Sequence, residues 1–233
     1  MIYEFNFYKD EDFEEIEQLV LASYQWEYPI WGLSRHEFSK GLHPAFTGHY
    51  HAWSHTVGVY RESGKIAACV INEGNYNGEA FFLFDSKERG TDIELLNDMI
   101  KFAKTHAAKT KEDRRTKSLN LYVPTWNTTL KEMVLQSGFH EMEWGEELYI
   151  LPFGKQPYDV KLPDGYTFAD GYEVPDFYLS NTHRLSFSYD GDSHACIHGE
   201  QAFQDLRKMK HYRRNLDLCV LDKQMRPVAM AII

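Results

Sequence analysis

Apolar and polar positions partly alternate from residue 2 to 8 (IYEFNFY), a pattern that predicts an opening strand. The period then changes. Phe13, Ile16, Leu19, Val20 and Tyr24 recur at three- and four-residue steps, so a helix is expected there, with Asp12 as its cap and Glu15 at the capping-box spacing. The stretch from Gln25 to Ser54 is irregular and rich in Trp, Tyr, His, Pro and Gly. One short helix is expected near Arg35–Leu42, after the cap candidate Ser34. Regularity returns with HTVGVY, the turn RESGK and IAACVIN. This is a hairpin signature in which Ser63-Gly64 makes the turn and Gly64 can take a positive φ. A second turn, EGNYNG, leads into EAFFLF, so residues 55–84 read as three adjacent antiparallel strands.

A long helix follows, with Ile93, Leu96, Ile100, Ala103 and Ala107 as its apolar stripe. A charged loop, residues 109–117, leads to the strand SLNLYV, which Pro124 closes because proline lacks the ladder N–H. Asn127, or Thr125 before it, caps a further helix through Gln136. Gly138 breaks that helix, and FHEMEW and EELYILPF are expected to pair as two last strands around Gly145. The order is strand, helix, helix, three strands, helix, strand, helix, two strands. Helices can cover both faces of such a mixed sheet, which predicts an α/β (α+β mixed sheet) domain over residues 1–153.

Residues 154–163 (GKQPYDVKLP) hold two prolines and a glycine and read as a linker. Beyond it, over 164–233, the pattern restarts. Residues 166–169 are strand-like. Val174, Phe177, Leu179 and Leu185 suggest a helix, and 198–208 a second short one. LDLCVL, the turn DKQMR and PVAMAII then echo the first hairpin. Asp10 and Val59 are 49 positions apart, and Asp170 and Val220 are 50 apart, so the hairpin recurs at nearly the same offset. The second copy breaks off in what reads as a strand. A bare apolar strand invites association. The expectation is therefore a shortened chain, or a half-domain packed on the first domain or on another subunit as a homo-oligomer contact.

Composition narrows the function classes. The chain has 233 residues, 43% hydrophobic and 15% aromatic, enough for a sizeable core. Its 25 basic and 35 acidic residues give −10 at pH 7, which speaks against a nucleic-acid partner. Basic residues cluster at 109–117 and at 207–214, and each cluster reads as a solvated loop or helix end. Cys69, Cys196 and Cys219 are an odd set with no paired spacing, which predicts a reducing, cytoplasmic setting. The start carries no signal-peptide pattern, and no apolar run is long enough to span a membrane.

GKIAACVI, the N-T-T-L run at 127–130, S-G-F at 137–139 and the element order together resemble the GNAT superfamily, the Gcn5-related N-acetyltransferases. More narrowly, the chain resembles proteins with two such domains in tandem, the second here partial. The resemblance implies acetyl-CoA as cosubstrate, a small-molecule or peptide amine as acceptor, direct transfer in a ternary complex and no metal. In that family the acyl-CoA pyrophosphate rests on backbone amides where the long helix starts, since a helix start offers free N–H groups and partial positive charge. The matching run here is Lys87 to Asp92, which puts Lys87, Arg89, Gly90 and Thr91 in the cofactor site. Asp92 stands where the family has Gly or Ala, and its charge, with that of Glu88, opposes a pyrophosphate. Asn127 matches the family's Asn at the next helix. The family's general-acid Tyr position holds Val134, which has no proton to give, and Tyr122 is the nearest substitute. A backbone N–H of Leu83 or Phe84 would polarise the thioester carbonyl, and Glu79 or Glu73 would serve as general base. Trp26, Glu27, Tyr28, Trp31 and His51 are candidates for the acceptor pocket. The departures at Asp92 and Val134 support a second reading, a non-catalytic regulatory or assembly domain of the same fold. Peptidyl or aminoacyl transfer on a related fold is a third.

Two further clusters carry metal-ligating residue types. His49, His51 and His55 alternate around Trp53, and Asp190, Asp192, His194, Cys196 and His198 form a denser run. Neither has the ligand set of a known short zinc or calcium motif, so both read as structural.

Overall fold

The computed structural model describes residues 3–26, 31–37, 39, 53–73, 78–111, 115–147, 149, 154, 160–187 and 199–231. Among these, the residues up to Tyr149 form one compact unit and those from Gly154 onward another. Glu27, Tyr28, His49, His51, the 190–198 cluster and most of the expected last strand lie outside the described residues. No helix among the described residues is long and apolar enough to cross a membrane.

The first unit is a five-stranded mixed sheet in the order β1-β2-β3-β4-β7. Its strands are β1 (Glu4–Phe7), β2 (Gly58–Glu62), β3 (Lys65–Ile71), β4 (Glu79–Phe84) and β7 (Asn120–Tyr122). β1 to β4 are antiparallel to their neighbours, and β4 pairs with β7 in parallel. The hairpin β2–β3 is tighter than its sequence suggests. Arg61 and Glu62 join the strand, and Ser63 (φ 52°) with Gly64 (φ 80°) makes a two-residue turn whose twist matches the strands.

Both faces of this sheet are covered. One carries α3 (Ile93–Phe102) and α4 (Thr128–Gln136), with Leu95, Leu96, Met99, Ile100 and Leu130 buried against Val70, Phe82 and Phe84. Ile93, expected on the apolar stripe, is instead 61% exposed. α3 passes into a π-helical turn at Ala103–Ala107, and that wider turn keeps Ala103 and Ala107 on the buried side. The opposite face carries α1 (Phe13–Ser23) and α2 (Leu33–Glu37), where Ile16, Val20 and Trp31 pack on Val59, Cys69 and Phe81.

Several local expectations are corrected. Asp12 does not cap α1. One carboxylate oxygen accepts from the Lys9 N–H and the other pairs with Arg61 at 2.6 Å, while Glu15 accepts from the Ile66 N–H and from Arg61. The capping-box spacing thus serves a tie between helix and hairpin. α2 begins before Ser34, because the His36 N–H reaches the Gly32 carbonyl and so puts Ser34 inside the helix. Part of the charged loop 109–117 forms a short ladder, β5 (Lys109–Thr110) with β6 (Lys117–Ser118). The described residues 139–147 form no strand. β7 is only three residues long and offers little to pair with, and Met142 and Trp144 are exposed.

The second unit holds a three-stranded antiparallel sheet, order β10-β9-β8, from β8 (Thr167–Ala169), β9 (Leu218–Leu221) and β10 (Pro227–Ala231). α5 (Asp176–Phe187) and α6 (Gly199–Leu206) lie in sequence between β8 and β9. Its core is small: Ala169, Val174, Leu179, Phe203, Cys219 and Leu221, with Met230 against them. Arg207 is buried beside it, paired with Asp176 and donating to the Gly171 carbonyl, and Tyr212 donates to the buried Asp217.

Candidate functional site

The seam between β4 and β7 organises this region. The parallel ladder pairs Glu79 with Asn120, Ala80 with Leu121 and Phe81 with Tyr122, then stops, while β4 runs on to Phe84. The cause is chemical. Asn120 donates to the Gly78 carbonyl, so rungs two residues apart would take N–H groups from positions 122 and 124. Position 124 is proline and has none to give. On the other edge of β4, Asp85 donates to the Ala67 carbonyl of β3. By alternation Leu83 turns its amide towards β3 as well, and Phe84 turns its own towards the open seam.

The start of α3 lies just beyond this opening, and the N–H groups of residues 89 to 92 are engaged within the turn that leads to it. The Arg89 N–H reaches the Ser86 hydroxyl, Gly90 the Ser86 carbonyl, Thr91 the Glu88 carbonyl and Asp92 the Arg89 carbonyl. Asp92 caps α3 through Glu94 and Leu95 at 3.1 and 3.2 Å and also accepts from the Tyr3 hydroxyl at 2.6 Å. Burial works against its charge. The Tyr3 hydroxyl, the two helix amides and Arg89 outweigh burial and hold its carboxyl below the ordinary value. Arg89 is held by Glu62 at 2.7 Å, by Asp85 and by Tyr3, and the bonds to Asp85 and Glu62 push its guanidinium further up. The Thr91 hydroxyl donates to the Glu88 carbonyl.

Gly90 sits under an aromatic lid. A Cβ there would come within 2.7 Å of the Trp126 ring. Trp26 meets Trp126 edge to face at 5.5 Å, and the Lys87 ammonium lies 5.4 Å from the Trp126 ring centre. Asn127 is buried and engaged at both ends, accepting from the Leu130 N–H and donating to the Gly90 carbonyl at 2.7 Å. That bond clamps α4 to the turn before α3. Lys87, Arg89, Gly90, Thr91 and Asn127 are therefore brought together, but around an indole and a carboxylate. These residues do not fit a pyrophosphate as they stand: the amides of 89 to 92 are bonded, Asp92 is charged and Trp126 covers the glycine.

On the α1–α2 side of the seam, Phe81 and Tyr122 stack face to face at 4.2 Å, a direct result of their pairing across the ladder. Burial, then the charges of Glu79 and Glu146, push the Tyr122 hydroxyl up, so it stays protonated at neutral pH. Glu73 pairs with Arg35 at 2.5 Å, and Arg35 also reaches Glu146 at 3.5 Å. Glu79 lies on β4 two residues before Phe81, on the same face. Glu73, Glu79 and Tyr122 thus gather on one side, and Trp31 packs on Phe81 at 5.0 Å. Trp26 belongs instead to the Trp126 cluster. His55 packs on Phe7 at 5.5 Å. Cys69 and Cys219 are free and buried, and burial raises the Cys219 thiol to about 11 and that of Cys69 further, so neither is a ready nucleophile. The sequence reading missed Trp126, Tyr3, Arg35 and Trp144. Only the W-N step before the cap of α4 offered a local signal for any of them.

No known protein-family profile matches the sequence, and no curated protein matches it. Among solved structures, the chain is similar to a GCN5-related N-acetyltransferase from Sphaerobacter thermophilus, with a TM-score of 0.49 and 11% identity over 99% of this chain and 71% of that one. It is also similar to a possible acetyltransferase from Clostridium difficile 630, with a TM-score of 0.34 and 13% identity over 66% of this chain and 100% of that one.

Proposed function

We propose that the chain is of the acetyl-CoA-dependent N-acyltransferase type and that its first unit is a non-catalytic half, keeping the fold while its cofactor cradle is filled from within. The observation that carries this reading is Trp126 lying over Gly90 while Asp92 accepts from the Glu94 and Leu95 amides of α3. An anion arriving there would meet a carboxylate and an indole in place of free N–H groups. The sequence motifs, the order of elements and the seam beside β4 support the acyltransferase type. The second unit supports a tandem arrangement, because strand, two helices and hairpin return in the same order with the same antiparallel neighbours. The role that fits the first unit is assembly or regulation.

Calorimetric titration of the 233-residue chain with acetyl-CoA, backed by equilibrium dialysis, tests this reading. No binding is expected at concentrations up to about 1 mM, near the upper end of ordinary KM values. Micromolar binding by the unmodified chain would sink it.

A second reading is acetyl transfer to a primary amine at the same seam. It is favoured by the Phe84 amide turned into the opening, with Glu79 at the other end of β4 and Glu73 after β3 as the candidate bases the sequence offers. It requires Trp126 and Asp92 to move aside. Release of free CoA thiol from acetyl-CoA in the presence of a panel of primary amines would establish it.

A further inference from the structure

β1 is an edge strand of the first unit's sheet, with β2 on one side only. The Tyr8 N–H reaches the Val57 carbonyl, so in this antiparallel ladder positions 4, 6 and 8 exchange hydrogen bonds with β2. The N–H and C=O groups of Phe5 and Phe7 therefore point away from the sheet. Among the described residues, none bonds to them. Neither proline nor a bulge protects this edge, and of its four residues only Glu4 is charged.

An aromatic strip lies beside the edge, on the α3 face. Phe5 meets Phe7, Tyr60 and Phe102 at 5.4, 5.4 and 5.3 Å between ring centres, and is still 44% exposed. His106 stacks on Phe102 at 4.7 Å and meets Phe7 edge-on at 5.2 Å. The two ends of the strip differ in charge. At its start the Tyr3 hydroxyl touches Asp92 and Arg89, and Arg89 gathers Glu62 and Asp85, so three carboxylates surround one guanidinium. At its far end His55 and His106 flank Phe7. Burial first, then the charges of His55 and Lys117, lower the His106 imidazole, which places a lysine beside it. Lys9 and Glu11, just beyond, pair with each other at 3.6 Å and cancel. Along the direction of β1, the strip thus runs from surplus negative charge to a lysine and two imidazoles.

We propose that this edge pairs with the same edge of a second copy of the chain, β1 against β1, antiparallel about a two-fold axis at Asn6. Antiparallel pairing sets the acidic end of each strip against the basic end of the other, which is why a second copy fits better than an unrelated strand. With the axis at Asn6, Phe5 lies opposite the partner's Phe7, and Phe7 opposite the partner's Phe5. These are the residues with outward main-chain groups, so each pair takes both ladder hydrogen bonds while the rings meet on the α3 face. The contact is the same on both copies and closes at two, so the edge is covered and does not propagate into a fibre. A four-residue strand with one aromatic strip is a small interface, which predicts reversible association and not a permanent dimer. The pairing is independent of whether the turn at Gly90 takes a cofactor.

Sedimentation velocity of the full chain from about 1 µM to about 0.5 mM tests this. A monomer–dimer equilibrium is expected, and Phe5→Lys should weaken it about tenfold or more. Cysteine cross-linking reads the register. Asn6→Cys lies on the axis, where facing Cβ atoms come within about 5.5 Å, and mild oxidation should link two copies. Glu4→Cys is two residues off the axis, so its two thiols stand roughly 14 Å apart along the strands and should stay unlinked. The unmodified chain is the blank for its own cysteines. A chain that remains monomeric at the highest concentration would overturn the proposal and leave the edge to a strand of another protein. So would a dimer that Phe5→Lys leaves intact, or cross-linking through Glu4→Cys but not through Asn6→Cys, since either places the contact elsewhere.

Discussion

At the scale of single residues, one carboxylate organises the start of α3. Asp92 caps two amides and holds Tyr3, and Asp92→Ala is expected to lower stability by about 1 kcal/mol or somewhat more, read from the urea midpoint. Gly90→Ala places a methyl group against the Trp126 ring and should cost about 1–3 kcal/mol, part of it recovered in a Gly90→Ala, Trp126→Ala double variant. Acid will weaken the same region. Glu15 resembles Asp92: burial opposes its charge, but the Ile66 amide and Arg61 prevail and keep its carboxyl low. A depressed folded value means stability that is full above the ordinary carboxylate range and lost as pH falls through the folded value. Melting temperature should therefore hold from neutral pH to about pH 5 and drop below about pH 4. Some of this was legible. Asn127 as a cap and the Asp92 departure are both local facts. The Tyr3–Asp92 bond spans 89 positions and leaves no trace in any window of sequence.

Elements were easier to read than their ends. β1, the first hairpin, β4, α3 and α4 follow from period and turn chemistry, because each buries a face whose spacing is written in the chain. The ends depend on partners. Arg61 and Glu62 looked like turn residues, yet they extend β2 because a two-residue turn at Ser63-Gly64 leaves them opposite Ile66 and Lys65. Both turn residues have positive φ, which Asn tolerates better than Ser, so Ser63→Asn should raise the melting temperature slightly and Ser63→Val should lower it. The expected strand at 139–144 is absent for the opposite reason. Its apolar residues Met142 and Trp144 stay exposed, so no buried face rewards the alternation. The π-turn at 103–107 was also invisible, since an apolar stripe of alanines fits either helix period.

For the whole molecule, the two units have separate cores of unequal size, and the second is a handful of side chains around one buried ion cluster. Urea unfolding should accordingly be biphasic, with the second unit lost first. Arg207→Ala leaves Asp176 and Asp217 without their cation and should remove about 3–5 kcal/mol from that unit, shifting the early transition and sparing the late one. The hairpin β9–β10 was legible because its sequence pattern echoes the first hairpin at nearly the same offset. What Trp126 covers was not, because filling a cleft is a property of three segments meeting, and no one of them announces it.

The opening beside β4 has its origin in the main chain. It exists because one imino acid withholds one hydrogen, at position 124. Changes in the side chains around it do not supply the N–H that the ladder lacks at Pro124. A vacancy of that kind is inexpensive to inherit.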